Sequence, residues 1–286
     1  MSVINTNVNS LVAQNAVTVN ARSLSKSMEQ LSTGKRINGA KDDAAGLAIG
    51  QVMTSQIRGL NMAVRNANDG ISLLQTADGA MIEQTNMLQR MRELAVQAGS
   101  DTVTTSQKTY LQNEFSALRD EINRIGANTQ WNDRNLLDGT GGIEGGAGIY
   151  KFQVGSITGT TSTISVAIPN SKTVGGTGTA IFAGINADDI STVGGASTAI
   201  TNLDAALTAS NAARSKIGAG INQLTYAADN LSNISMNTAA SRSRIEDTDY
   251  AQASTELART QIIQQAATAM LAQANQSPQS VLALLK

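Results

Sequence analysis

Histidine and cysteine are both absent from this 286-residue chain. Their absence removes Ser-His-Asp and Cys-His catalysis, thiolate chemistry, disulfides and every ordinary zinc site. Paired carboxylates and oxygen-ligand metal sites stay open. Aromatic residues are scarce as well, with three Phe, four Tyr and one Trp. A large globular core usually leans on rings that bury about 150–250 Å² each, so the scarcity points to thin helical packing of Leu, Ile, Val, Met and Ala. Charged residues are 15% of the chain, against about 25% in an ordinary domain. The net charge is −1, so no overall basic field points to nucleic acid. No apolar run approaches the ~18 residues of a membrane helix. The first ten residues hold no Lys or Arg and no apolar stretch, unlike a secretory signal. If the protein leaves the cell, the expected route does not read such a signal. Only two prolines interrupt the chain, so helices can run long.

What is present is a heptad. Met53, Ile57, Leu60, Val64, Ala67, Ile71 and Leu74 alternate steps of four and three, and Met81, Leu88 and Ala95 continue the phase. That is a coiled-coil seam rather than a broad globular stripe. One helix from Ala44 to about Gly99 is about 84 Å long at 1.5 Å per residue, which implies an elongated molecule. Shorter apolar phases recur at Val17, Ala21, Leu24, Met28 and Leu31, and at Leu111, Phe115, Leu118, Ile122 and Ile125 after a helix start near Thr104. Leu203, Leu207, Ile217, Ile221, Leu224, Ala228 and Leu231 hold one phase in the second half. Ile263, Ala267, Met270 and Ala274 form the last, before Pro278, where the helix should stop or bend. Antiparallel pairing of the two helical ends would close one bundle.

Residues 139–195 differ: fourteen of the 25 Gly fall there. Tyr150–Gly155 and Thr163–Ile168 alternate with period two and predict a β-hairpin. Residues 170–195 read as a loop or a small β excursion. The expected fold is mainly α: an elongated antiparallel coiled-coil bundle from both chain ends with a small β-hairpin region in the middle. The expected segments are 1–43 and 242–286 as terminal coiled-coil pieces, 44–139 and 196–241 as a helical rod, and 140–195 as hairpin and variable region.

Several chemical motifs fail on spacing. Gly175-Gly176-Thr177-Gly178 lacks a third spaced glycine, and Gly34-Lys35 is followed by Arg36 rather than Ser or Thr, so neither makes a phosphate loop. Asn66–Gly70 places Arg65 and Ala67 where a calcium loop needs oxygen ligands. Asp42-Asp43, Asp188-Asp189 and Glu246-Asp247-Asp249 suit turns or helix starts. No catalytic, cofactor-binding or metal residues are assigned, and no enzyme activity is expected.

Longer stretches are more specific. Ile4-Asn5-Thr6-Asn7, LSTGKRINGAKDDAAGLAIG at 31–50 and TSQIRGLNMAVRNANDGISLLQTADGA at 54–80 resemble bacterial flagellin. So do LQRMRELAVQA at 88–98, NRIGANTQWNDRNLLDG at 123–139, SRIEDTDYA at 243–251 and the ending LAQANQSPQSVLALLK. The likeness covers roughly residues 1–155 and 200–286, and the short middle resembles a minimal member with little or no outer domain. Gly39 and Lys35 stand where many relatives carry Ser. The resemblance implies an extracellular filament subunit, with terminal helices that order on assembly, Val281, Leu282, Leu284 and Leu285 packed in the filament core, and Val17, Leu24 and Leu31 as further assembly residues. It implies self-association, an export chaperone, a filament cap and hook–filament junction proteins as partners, and neither nucleic acid nor membrane. It also implies two surfaces read by hosts. Asp42, Asp43 and Gly46 match a peptide bound by plant receptor kinases, and Arg90, Leu94 and Glu114 match a patch contacted by an animal Toll-like receptor. Read from the residues alone, Arg90 and Glu114 are surface charges and Leu94 an apolar contact on the rod. A junction protein and a secreted host-interacting coiled-coil protein are the competing readings.

Overall fold

The computed structural model of the chain describes residues 6–142, 148–155, 159–173 and 180–283, with 277–283 as helical backbone. Its helices are α1 (Val8–Thr33), α2 (Ala44–Ala98), α3 (Thr105–Asn128), α4 (Val193–Glu246) and α5 (Tyr250–Ala283). Among the described residues four strands, β1 (Gln130–Trp131), β2 (Arg134–Asn135), β3 (Ile149–Gln153) and β4 (Thr163–Ala167), form two antiparallel pairs. Contacts divide the chain into two compact units, Met1–Ile57 with Met236–Lys286, and Arg58–Ser235.

In the second unit α2 and α4 run antiparallel, pinned by Arg214 on Asp78 at 2.8 Å and Arg92 on Asp204 at 2.6 Å. The heptad positions Leu60, Ala67, Leu74, Met81, Leu88 and Ala95 are buried, and Leu203, Ile217, Leu224 and Leu231 meet them from α4. α3 starts in a capping box: Thr104 accepts from the Gln107 N–H, and Gln107 accepts in return from Thr104 N–H. Its stripe buries Phe115 and Ile122 beside Met91, Leu94 and Leu203. The hairpin forms as its alternation predicts, pairing Ile149–Gln153 with Thr163–Ala167. It lays Tyr150, Ile164 and Val166 on Leu74 and Ile217. A 3-10 turn at Ala183–Ile185 and a parallel bridge from Asn170 to Ala180 follow.

Two amides, the buried Gln84 and the half-buried Asn123, hold the segment after β4. Gln84 Nε2 donates to the carbonyls of Ile122 and Ser171, and Asn123 both accepts from Thr173 N–H and donates to its hydroxyl. Asp188 is also buried, with one oxygen accepting from Asn202 and the other unpartnered; burial pushes its carboxyl up.

In α2, Gly70 makes room for the Phe152 ring, where a Cβ would lie 2.8 Å from Cδ1, and Gly79 faces open space. A two-residue turn at Asn132-Asp133 joins β1 and β2, both residues at positive φ (50° and 59°). Alternation does not announce so short a hairpin, but the Asn-Asp pair is its chemical signature.

Candidate functional site

The first unit is built around α1 and α5, which pair antiparallel. The side chains turned inward are Ser10, Ala13, Val17, Asn20, Leu24, Ser27 and Leu31 on α1, at heptad steps, and Ala253, Leu257, Thr260, Gln264, Ala267, Leu271 and Ala274 on α5. This corrects the stripes expected from hydrophobicity. Val17, Leu24 and Leu31 lie on the inner face half-buried, while Ala21 and Met28 are exposed; on α5, Ala267 and Ala274 turn in and Ile263 and Met270 turn out. The buried positions of α1 are polar, Asn20 and Ser27. Asn20 Nδ2 explains its place by donating to the Thr260 carbonyl at 2.9 Å and to Gln264 Oε1 at 2.8 Å. A buried amide at one seam position fixes register at some cost in stability.

That gives a direct test. The chain has no cysteine, so spin labels placed on cysteines at the exposed positions Ser23 and Arg259 report one pair distance. In filaments diluted with unlabelled chain, the parent should give a single narrow distribution. With Asn20→Leu the distribution should broaden or split while the pair melts no lower; an unchanged narrow peak would show that Asn20 does not set register.

The far end of the pair is tied by a different device. α5 does not stop at Pro278 but continues to Ala283. A proline nitrogen carries no hydrogen, so the Ala274 carbonyl four residues back loses its helical donor. Asn7 Nδ2 supplies one at 2.7 Å, while its oxygen caps α1 by accepting from Ser10 N–H. Ser10 adds a bond to Asn275 at 2.7 Å. Hydrophobic periodicity could not find Asn20 or Ser27, whose signal was polarity at heptad spacing, nor Asn7, whose signal was that of a helix N-cap.

Large apolar side chains point away from the seam: Val8, Leu11, Val12 and Val19 on α1, and Ile262, Ile263 and Met270 on α5. Val12 is 64% exposed and Met270 65%. These two line a groove of about 500 Å³ together with Ala13, Ala16 and Ala274. Leu284 and Leu285 lie outside the described residues, as do the side chains of Val281 and Leu282.

Where α1 gives way to α2 the chain turns through a clasp. Gly34 takes a left-handed conformation (φ 70°) and ends α1. Thr248 N–H then bonds the Gly34 carbonyl, and Arg36 N–H bonds that of Glu246, so the two connectors pair. Lys35 reaches the buried Glu246 at 3.3 Å, and Gly50 is bare where that carboxylate packs. Asp43 caps α2 by accepting from Gly46 N–H at 2.9 Å. Gly46 itself is buried, with no room for a Cβ beside Asp43 and Ile37. Asp42 pairs with Lys26 at 3.1 Å, and this bond holds its carboxyl below the usual range. Asp42, Asp43 and Gly46 therefore form one turn.

In the second unit Arg90 bridges Glu93 and Glu114, both at 2.9 Å, and their carboxylates raise its already high pKa. Leu94, expected in the same surface patch, is 1% exposed and sits in the core with Met91 and Phe115. Arg90 and Glu114 stay together at the surface; Leu94 does not join them there. The arrangement as a whole offers binding faces and paired charges.

The family model for the bacterial flagellin N-terminal helical region matches residues 4–141, and that for the C-terminal helical region matches residues 200–285. A flagellin of Halalkalibacterium halodurans is 43% identical over 284 residues, covering 99% of this chain and all of the relative. The chain belongs to the bacterial flagellin family. Flagellin B of Vibrio cholerae is 37% identical over an alignment of 372 residues that covers 99% of each chain, so that flagellin is the longer one. The crystal structure of Bacillus cereus flagellin superposes with a TM-score of 0.49 and 29% identity, over 58% of this chain and 88% of that one. As a flagellin this chain is a structural subunit of the flagellar filament, outside the cell, and not an enzyme. No helix among the described residues is long and apolar enough to cross a membrane.

Proposed function

We propose that copies of this flagellin add to one another through the outward apolar stripes of α1 and α5, and that this contact propagates the filament. The carrying observation is the set of large apolar side chains that the pair leaves uncovered, Val12, Ile262 and Met270 among them. A helical polymer needs a heterologous contact that does not close on itself, so one copy's stripe meets a different face of the next. The terminal pair is weak alone, because its seam buries small and polar groups such as Ser27 and Thr260. Such burial barely offsets an ordering entropy of roughly 1–2 kcal/mol per residue. The two helices accordingly reach full order when neighbours cover them, with the negative heat-capacity change of coupled folding and binding.

The resemblance supports further partners. Residues 1–43 and 242–286 act as the inner assembly segments, and 44–139 with 196–241 as the rod. An export chaperone holds the C-terminal segment with Val281, Leu282, Leu284 and Leu285 until a filament cap admits the subunit, and junction proteins seat the first copies. Val17, Leu24 and Leu31 serve assembly by holding α1 on α5. Host receptors read the pair Arg90–Glu114, with Leu94 supporting it from beneath. A receptor that binds residues 29–50 as a peptide must first open the turn of Asp42, Asp43 and Gly46.

Negative-stain electron microscopy of the full chain, with short filament seeds and sulfate to strengthen burial, tests elongation. Long uniform filaments are expected. Deleting Gln279–Lys286 should keep the helical circular dichroism yet abolish or weaken growth. Persistent monomers of the parent on competent seeds would overturn the proposal, and equally stable filaments from the truncation would remove the tail from it.

A further inference from the structure

Asn38 and Gly39 sit in the clasp between α1 and α2 as an Asn-Gly pair. That dipeptide is chemically exposed in any flexible chain. The glycine nitrogen has no neighbouring Cβ to shield it and can attack the asparagine side-chain carbonyl. The Gly39 N–Asn38 Cγ bond forms, the Cγ–Nδ2 bond breaks, and ammonia leaves with the amide proton. Water then opens the cyclic imide at one carbonyl or the other, giving aspartate or isoaspartate.

The turn is arranged against each step. Asp42 Oδ2 accepts from Gly39 N–H at 3.2 Å and from Asn38 N–H at 3.3 Å. A carboxylate facing the nucleophilic N–H makes a charge-assisted bond and opposes a second negative charge on that nitrogen. Lys26 holds the other oxygen of Asp42, whose side chain is only 10% exposed. Asn38 Nδ2 donates to the Lys35 carbonyl at 3.0 Å, which ties the carboxamide back toward α1. Asp42 N–H in turn donates to the Gly39 carbonyl at 3.0 Å and closes the turn.

We propose that Asn38 is a latent deamidation site and that the Lys26–Asp42 clasp sets its rate. Folded, the site is protected; released, by unfolding or by excision of this segment, it converts. The new carboxylate then lies against Asp42, and isoaspartate also lengthens the main chain inside the turn. Either product leaves a permanent record that the segment has been open.

The test is a time course at mildly alkaline pH, with low-pH digestion and mass spectrometry that separates aspartyl from isoaspartyl peptides. The full chain is followed folded and in urea, alongside Asp42→Ala, Lys26→Ala and Gly39→Ser. The folded parent should convert severalfold more slowly than the same chain in urea. Asp42→Ala should approach the urea rate with its helical circular dichroism retained, and Lys26→Ala should fall between. Gly39→Ser should suppress conversion even in urea. If Asp42→Ala unfolds, Lys26→Ala decides, since it keeps the carboxylate and removes only an exposed partner. A folded parent as fast as the urea sample overturns the proposal. So does a Lys26→Ala rate equal to the parent's, or a folded Asp42→Ala no faster than it.

Discussion

A chain carrying both Val12→Asp and Met270→Asp should keep its helical circular dichroism and lose seeded growth, with a critical concentration roughly 10²–10⁴ times higher. Both side chains are more than 60% exposed in the single chain, so nothing inside it depends on them. Covering an apolar side chain of this size contributes about 1.5–3 kcal/mol, so two lost partners remove about 3–6 kcal/mol from each addition. Every 1.4 kcal/mol is about tenfold in affinity, and the buried carboxylates add a desolvation cost. Sedimentation of seeded samples across a concentration series gives the number. A critical concentration within about tenfold of the parent would mean that the groove walled by these two residues stays outside the subunit contact.

The second large effect lies in the other unit. Phe115→Ala is expected to destabilise the α2–α3–α4 core by about 3–5 kcal/mol. Phe115 is fully buried between Met91, Leu94 and Leu203, and rigid helices on several sides leave the cavity little chance to collapse. Trp131 is the chain's only tryptophan and packs on the neighbouring cluster around Leu74. Its fluorescence in urea therefore reads whether the damage spreads. With a slope of about 1–3 kcal/mol per molar, the midpoint should fall by roughly 1–5 M. A shift in helical signal without one in Trp131 would show that the two clusters unfold separately. A loss below about 1 kcal/mol would show that the site repacks.

How much of this was legible follows from what periodicity can see. The heptad from Met53 to Ala95 predicted α2 almost to its ends, because a two-sided apolar core needs every one of those positions. The alternation at Tyr150–Gly155 and Thr163–Ile168 predicted the hairpin for the same reason. In the terminal pair the rule fails. Asn20, Ser27 and Thr260 fill the seam, while Val12, Ile262 and Met270 face out. A stripe drawn through large apolar residues there mixes the inner face with the outer one. Helix continuation past Pro278 was equally hidden, since it depends on Asn7, which lies 267 residues from the carbonyl it serves. The resemblance to flagellin named the family, yet it could not say that Leu94 is covered or that Asp42 closes a turn around Gly39.

The pairing of α1 with α5 also has a consequence in time. Asn20 and Thr260 are 240 positions apart, and the Asn7 contact spans more. A ribosome adds about 5–20 residues per second, so α1 waits roughly 12–50 s after emerging before its partner exists. During that wait it exposes both its apolar stripe and its unpaired amides. Contacts of such long range are the slowest to close, so the first unit is the last part of the chain to acquire a structure. Anything that occupies either end keeps the other end unfolded as well. The chain thus carries its own delay, written in the distance between its first helix and its last.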